Sequence, residues 1–348
     1  MLWGLTNPKK LDPATQPTDL VETLMGLESN NLTILSAMND TLYDRLGDLH
    51  AQRAQEKKQA LWVRTKWTQS QRNGLFGYKA SNQMVEVGVD RAFKRSNGKW
   101  YGGVMAQFQR SNFKNDHTNA HGQLMNFGLY ASYLADSDWY LDLVGRFGQY
   151  KPGKQPIDVA DQDIPNARHL EPTSSSGSNI LNASVELGRR FVLKQQYFVE
   201  PQAQLDYAVM GSRHFTLKED LDDGHTNIWE GKTHPTKSLL GRVGVALGKT
   251  WFDSDGRWRG MAYARLNFNQ EFLGQRGFEI HNTQAGQDHA IEPEVVLNFK
   301  DKKHWLSADV GVTKMLSDHW SLYGTAGMRL KGYVNRSWSV ELGTRYNF

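Results

Sequence analysis

From Ala60 to Phe348 the chain alternates apolar and polar residues with a period of two, and it never returns to a helical period. A β-strand points successive side chains to opposite faces, so this pattern demands strands with two chemically distinct faces. The last segment is the clearest. Trp338, Val340, Leu342, Thr344, Tyr346 and Phe348 share one face, and Ser339, Glu341, Gly343, Arg345 and Asn347 share the other. Before it, Trp320, Leu322, Gly324, Ala326, Met328 and Leu330 stand opposite Ser321, Tyr323, Thr325, Gly327 and Arg329. Tyr197, Val199, Pro201, Ala203, Leu205 and Tyr207 likewise alternate with Phe198, Glu200, Gln202, Gln204 and Asp206.

The alternation predicts twelve strands, near 60–69, 82–94, 99–111, 121–134, 138–151, 178–190, 196–210, 238–251, 258–271, 304–314, 319–331 and 336–348. Each reaches or exceeds the ~9–11 residues that a tilted strand needs to cross a bilayer. The 304–314 boundary has a competitor, because Ile291–Phe299 also has the pattern to pair. Short turn-like connections (95–99, 135–138, 194–196, 253–256 and 316–319) alternate with longer ones that include 152–177, 211–237 and 272–303. The final connection, 332–335, is short where a long one is due. Alternating short and long connections are the habit of outer-membrane barrels. Trp67, Trp100, Trp139, Trp251, Trp258, Trp320 and Trp338 fall near strand ends, where an interfacial girdle sits.

No apolar run exceeds four residues and the mean hydropathy is −0.62. A membrane-spanning helix, which needs ~20 mostly apolar residues, is excluded. A barrel is not, because its strands show lipid only every second residue. The absence of cysteine removes disulfide frameworks and thiolate metal sites. A net charge of +4 is too balanced for a nucleic-acid surface.

Ahead of the strands the organisation differs. Residues 1–19 read as an irregular lead-in carrying Pro8, Pro13 and Pro17. Asp19 can cap a helix over 20–57 that carries Leu24, Leu27, Ile34, Leu35, Met38, Leu42, Leu46 and Leu49, with interruptions expected at Gly26 and Asn30-Asn31. No other helix follows, so this one must pack on the sheet or sit inside it. The expected architecture is all-β: a 12-stranded antiparallel transmembrane barrel over 60–348 with an N-terminal helix plugging its lumen.

Several stretches carry a family resemblance: LYDRLGDLH (Leu42–His50), ALWVRTKW (Ala60–Trp67), FVEPQAQLDY (Phe198–Tyr207), GRVGVALGK (Gly241–Lys249), WSLYGTAG (Trp320–Gly327) and WSVELGTRYNF (Trp338–Phe348). Taken in order, over residues 40–348, they resemble the translocator domain of autotransporters (type Va secretion). The resemblance implies a bacterial outer-membrane barrel that exports an N-terminal passenger and anchors it at the cell surface. It further implies a helix threaded through the lumen, residues 1–19 as the stub of a passenger or linker, and a monomer. Expected partners are outer-membrane lipid and lipopolysaccharide, the barrel-assembly machinery, periplasmic chaperones and the covalently linked passenger; nucleic acid is not among them. Met1–Lys10 has no apolar core and no cleavage site, which fits a piece of a longer precursor.

On this reading the lumen is lined by Arg64, Lys66, Glu86, Asp90, Asp142, Arg146, Glu186, Arg190, Glu200, Asp206, Arg242, Arg265, Arg329, Glu341 and Arg345. They are the expected pairing partners of Asp40, Asp44, Arg45 and Asp48 on the helix. A helix of ~25 residues would run ~37 Å, against ~30 Å of hydrocarbon. Tyr346 and Phe348 resemble the terminal signature read during barrel assembly. Some family members release their passenger by cyclisation at an Asn-Asn pair just before the helix motif. The aligned positions here are Asp40 and Thr41 with Asn39 adjacent, which departs from the pattern, and Asn30-Asn31 lies upstream of that register.

No enzyme motif competes strongly. The eleven histidines are scattered, without a metal-binding i, i+4 pair around a glutamate or a nucleophile elbow. No metal, cofactor or catalytic residue is expected. The alternatives are an outer-membrane hydrolase of protease or phospholipase type, for which His225 with Asp222-Asp223 would be the cluster, and a simple porin. The porin leaves the long helix unexplained.

Overall fold

The computed structural model describes residues 19–38, 59–74, 76–154, 156–161, 164–220, 226–283 and 294–348. In chain order the elements are α1 (Asp19–Ser36), β1 (Gln59–Arg72), β2 (Tyr78–Arg95), β3 (Gly98–Lys114), β4 (Asn119–Ala135), β5 (Trp139–Pro152), β6 (Ile157–Asp161), β7 (Ile164–Ser175), β8 (Ser178–Arg189) and β9 (Phe191–Val192). There follow β10 (Tyr197–Met210), β11 (Arg213–Asp220), β12 (Thr226–Thr233), β13 (Thr236–Phe252), β14 (Trp258–Glu271), β15 (Gln275–Asn282), β16 (Glu294–Lys300), β17 (His304–Met315), β18 (Trp320–Leu330) and β19 (Arg336–Asn347).

Twelve of these strands close a barrel. Chain neighbours pair antiparallel through β1, β2, β3, β4, β5, β8, β10, β13, β14, β17, β18 and β19, and β19 pairs back onto β1 from Ala60↔Asn347 to Gln71↔Arg336. The predicted strands coincide with these twelve: β14 matches end to end, and the others differ by at most a few residues at their ends. Closure leaves no unpaired edge, which is what makes a sheet viable in lipid.

The two faces separate as the alternation requires. Outward positions carry apolar side chains, with Phe127 64% and Leu129 66% exposed. Inward positions of the barrel strands are buried and polar: Asn126, Glu86, Gln109 and Asn182 are inaccessible. At the short-turn end the connections are tight. In the 253–257 turn, Asp253 Oδ1 accepts the backbone N–H groups of Asp255 and Arg257, and Gly256 supplies the positive φ of 73°.

Three findings depart from the sequence reading. The long connections 152–177, 211–237 and 272–303 are not plain polar loops. They carry β6–β7, β11–β12 and β15–β16, which pair in the order β6-β7-β11-β12-β15-β16 into a sheet over the long-loop mouth. Their alternation is short and interrupted, but it puts Leu170, Leu217, Phe278, Ile280 and Leu297 on the helix side, where they bury with Leu20, Leu24 and Met25. The 291–299 segment therefore enters through β16 and pairs with β15, leaving β17 to the barrel.

The helix also runs unbroken through Gly26 and Asn30-Asn31. Gly26 is a close-approach site: a Cβ there would lie 3.1 Å from Cζ of Phe113. Asn31 spends its amide sideways, donating to Glu28 Oε2 (2.9 Å) and Thr236 Oγ1 (3.3 Å). Tertiary partners override the weak intrinsic propensity at these positions. Finally, Trp258 is half-buried and packs against Phe198, Met261 and Tyr263 rather than standing in an outer girdle.

Candidate functional site

Helix α1 occupies the long-loop mouth with its N-terminus outermost and its C-terminus deep in the barrel. Eighteen residues span about 27 Å. Its lower apolar residues Ile34, Leu35 and Met38 pack on Leu124, Tyr150, Ile180, Ala208 and Met210 of the wall. Leu32 packs with Tyr78, Phe113, Trp305 and Tyr333 on the other side. The helix is thus enclosed all round, and its buried set includes polar Thr23, Glu28, Ser29, Asn30, Asn31 and Thr33.

Each of those polar groups must find a partner or carry a desolvation cost. Glu28 Oε1 accepts from Arg213 Nη2 at 2.7 Å. Arg276 Nη2 donates to Ser29 Oγ (3.2 Å) and to Asp301 (2.7 Å). Asn115 donates to Thr23 Oγ1 (3.1 Å), and Thr33 shares a hydrogen bond with Tyr78 (3.2 Å). The last helical turn has no basic residue of its own, and the wall supplies one: Arg146 Nη1 donates to the Met38 carbonyl at 3.2 Å. A cation there complements the negative end of the helix dipole.

Below the helix the lumen is a wall of paired charges. Arg64 lies 2.6 Å from Glu86 and 3.1 Å from Glu341; Lys66 lies 3.6 Å from Glu341; Arg146 reaches Glu86 at 3.2 Å. Arg345 grips Asp90 with both Nη atoms at 2.6 and 2.7 Å, and Tyr130 Oη donates to the same carboxylate at 2.7 Å while accepting from Trp62 Nε1. Glu200 pairs with Arg190 at 2.7 Å, Glu186 with Arg242 at 3.3 Å and Tyr140 at 2.9 Å, and Asp309 with Arg265 at 2.7 Å. Asp142 accepts from Ser132 and Asp206 from Asn182. The Arg329 guanidinium stands 5.2 Å from the ring centroids of both Trp305 and Tyr333. Buried pairs of this kind add little net stability, since desolvation offsets most of their attraction.

Aromatic rings fill the remaining space by lying over glycines of neighbouring strands. A Cβ at Gly343 would fall 2.1 Å from Tyr323, one at Gly103 2.4 Å from Tyr130, and one at Gly88 2.3 Å from Trp62. Two cavities that touch the helix are small. One of about 110 Å³ is bounded by Leu24, Glu28, Phe113, Tyr150 and Arg213, and one of about 150 Å³ by Lys66, Arg242, Arg265, Arg329 and Asp309.

The remaining candidates divide between the outer wall, the upper helix and the undescribed segments. Tyr346 and Phe348 face outward at the short-turn end with ring centroids 6.0 Å apart, and Phe348 N donates to Gln59 O at 3.0 Å. Asn30 and Asn31 lie in the middle of α1. Asn39, Asp40, Asp44, Arg45 and Asp48 lie outside the described residues, as does the 222–225 cluster with His225. Sequence reasoning passed over Glu28, Arg213 and Arg276. Glu28 carried a signal, the one acid of α1 beyond its first turn, whereas Arg213 and Arg276 sat in segments read as loops. No group of three or more acidic or histidine side chains able to hold a metal occurs among the described residues.

A closed twelve-stranded barrel with an apolar outer band, a charged inner wall and a helix seated in one mouth defines a plugged transmembrane β-barrel. The Autotransporter beta-domain model matches residues 61–327, and the chain belongs to that family, whose barrels lie in the bacterial outer membrane. The BrkA autotransporter of Bordetella pertussis is 27% identical over 327 residues, covering 91% of this chain and 28% of its own length. The pertactin autotransporter of Bordetella bronchiseptica is 28% identical over 72% of this chain and 25% of its own. The chain thus spans about a quarter of such relatives. Among solved structures, the translocator domain of NalP from Neisseria meningitidis superposes with a TM-score of 0.62 at 15% identity, covering 97% of this chain and 100% of that one. The Bordetella BrkA beta domain gives 0.59 at 23% identity, with 84% and 100% covered.

Proposed function

We propose that this chain is the outer-membrane translocator of an autotransporter, exporting an N-terminal passenger and holding it at the cell surface. The observation that carries this reading is topological. Helix α1 begins at the long-loop mouth and ends beside Arg146, midway along β5, while β1 begins at the opposite end, where Gln59 pairs with Phe348. The described residues on either side of 39–58 thus lie at different depths of the lumen, which supports a chain that threads the pore. A passenger preceding residue 19 would then sit outside the cell.

On this reading the charged lumen keeps a transiting, unfolded chain hydrated, and α1 seals the mouth afterwards. The charges of Asp40, Asp44, Arg45 and Asp48 suit a segment that has to meet a charged inner wall. The amide of Asn31 is engaged by Glu28 and Thr236, which favours a retained linker over cyclisation at that position. The chain's own role is transport and anchoring, with the barrel-assembly machinery and periplasmic chaperones as assembly partners. A simple porin fits less well, because the mouth is packed with helix side chains.

The test is display. An epitope-tagged passenger fused ahead of residue 19, behind an export signal, should become protease-accessible on intact cells. A folded barrel whose passenger stays in the periplasm would overturn the proposal.

A further inference from the structure

One patch of the outer wall at the long-loop end is basic and has no acidic partner. Strand register places Arg336, Gln71, Lys79 and Lys114 side by side across four strands: Arg336 opposite Gln71, Gln71 opposite Lys79, and Lys79 opposite Lys114. Alternation turns Lys79, Lys114 and Arg336 outward, since Tyr78, Ala80, Phe113 and Ser337 between them are buried. Arg110 faces the same way two alternations nearer the bilayer centre, opposite Gln83. None of these four cations has a carboxylate within ion-pair distance among the described residues; Arg336 donates only to the Gln71 side-chain oxygen, at 2.6 and 2.9 Å.

Like charges directly opposite on an antiparallel pair repel each other. The Lys79–Lys114 pair is therefore unfavourable unless something anionic sits between the two ammonium groups. The place for it exists: a groove of about 490 Å³ between the two lysines and Arg336, floored by Ala80, Ser81 and Asn112 and closed below by Trp338. Trp338 packs edge-on against Trp67, with ring centroids 5.0 Å apart, and the lipid-facing band begins just beneath at Val85 and Phe108. Paired tryptophans mark the headgroup level of a membrane. The groove thus lies at the height of the outer leaflet's headgroups. On the opposite wall Lys237 stands between Val209 and Gln275 rather than beside a second cation, and next to Arg336 on β18 the patch ends at Leu330.

We propose that this groove binds a phosphate of lipid A, the acylated diphosphoglycolipid of the outer leaflet, with Lys79 and Lys114 sharing the phosphate. Arg336 adds a planar donor fork suited to phosphate oxygens, and Arg110 holds the second anionic group closer to the bilayer. The acyl chains follow Trp67, Val85 and Phe108 down the wall. The proposal rests on the outer-membrane reading above and adds a specific lipid subsite on the β19–β1–β2–β3 face.

The full chain, folded in detergent, is titrated with bisphosphorylated lipid A at about 150 mM salt, where weak long-range attraction is screened. Lys79→Gln/Lys114→Gln should bind at least about tenfold more weakly than the parent, and dephosphorylated lipid A should bind the parent at least about tenfold more weakly than the phosphorylated form. Lys79→Arg/Lys114→Arg and the control Lys237→Gln should stay within about twofold. Gel mobility of unheated samples reports that each barrel is folded. Equal affinity of the folded glutamine variant and the parent would overturn the proposal. So would indifference to dephosphorylation, an arm that needs no variant at all. Displacement of the lipid by millimolar inorganic phosphate would reduce the groove to a general anion site and also overturn it. Failure of passenger display with lipid A binding intact would count against the translocator reading alone.

Discussion

Arg213 Nη2 lies 2.7 Å from Glu28 Oε1, and the pair joins the plug helix to the first residue of β11 in a buried setting. Removing one partner strands the other charge away from water. Glu28→Ala should therefore weaken helix seating by about 3–5 kcal/mol, the usual cost of orphaning a buried charge. The expected readout is higher and noisier conductance in planar bilayers. The double change Glu28→Ala/Arg213→Ala should cost less than the sum of the two single changes, because no charge is left alone. Additive effects would show that the two side chains act separately.

Gly343 and Tyr323 make the second prediction. The Tyr323 ring lies where a Gly343 side chain would go, 2.1 Å from the position of its Cβ. Gly343→Val forces the ring out of the inner wall next to the β19–β1 closure. Overpacking of this kind costs about 1–3 kcal/mol, read as a lower temperature for loss of the compact form on unheated gels. Adding Tyr323→Leu makes room and should recover part of the loss. No recovery would mean that the strand, rather than the ring, is intolerant of valine.

The third prediction concerns the chain end. Phe348 and Gln59 exchange backbone hydrogen bonds, Phe348 N to Gln59 O at 3.0 Å and Gln59 N to Phe348 O at 3.4 Å, so the terminal residue closes the barrel seam. The residue is 55% exposed, available to a partner outside the barrel. Deleting Phe348 should lower outer-membrane yield far more than Ser339→Ala, an interior change that alters no closure bond. Equal yields would remove any special role for the terminus.

How much of this was legible differs by level. The twelve barrel strands could be read because each is long and carries the same period-two contrast between lipid and lumen; β13, expected over 238–251, runs from Thr236 to Phe252. The sheet over the mouth was hidden. Its strands are short, their outer faces are polar, and the surface they bury against is a helix far away in sequence. Alternation tells which side of the wall Arg64, Glu86 and Arg146 occupy, but not how they pair. Arg64 meets Glu86 on the adjoining strand, whereas Arg146 reaches the same carboxylate from β5, a contact set by barrel curvature and stagger. Helix continuity through Gly26 was illegible for a related reason, because Phe113 on the wall decides it.

Asp301 supplies the last prediction, a pH dependence. Its carboxylate lies in the connection between β16 and β17 and receives Arg276 at 2.7 Å, Arg72 at 3.6 Å and Lys303 at 4.0 Å. Burial alone would push its pKa up, but the Arg276, Lys303 and Arg72 charges outweigh burial and hold it below the ordinary aspartate value. A carboxyl depressed in the folded state adds stability that is fully present above the unfolded value of about 3.9 and fades as pH falls through the lower, folded one. Arg276 also donates to Ser29, so protonating Asp301 loosens a tie between the loop sheet and the plug helix. Amide exchange in α1 should therefore show pH-independent protection from neutrality down to about pH 5 and a loss of protection below about pH 3.9. Asp301→Asn should show weakened protection already at neutral pH and a flatter response to acid. A parent and an Asp301→Asn variant that lose protection in parallel would assign the acid sensitivity to other carboxylates.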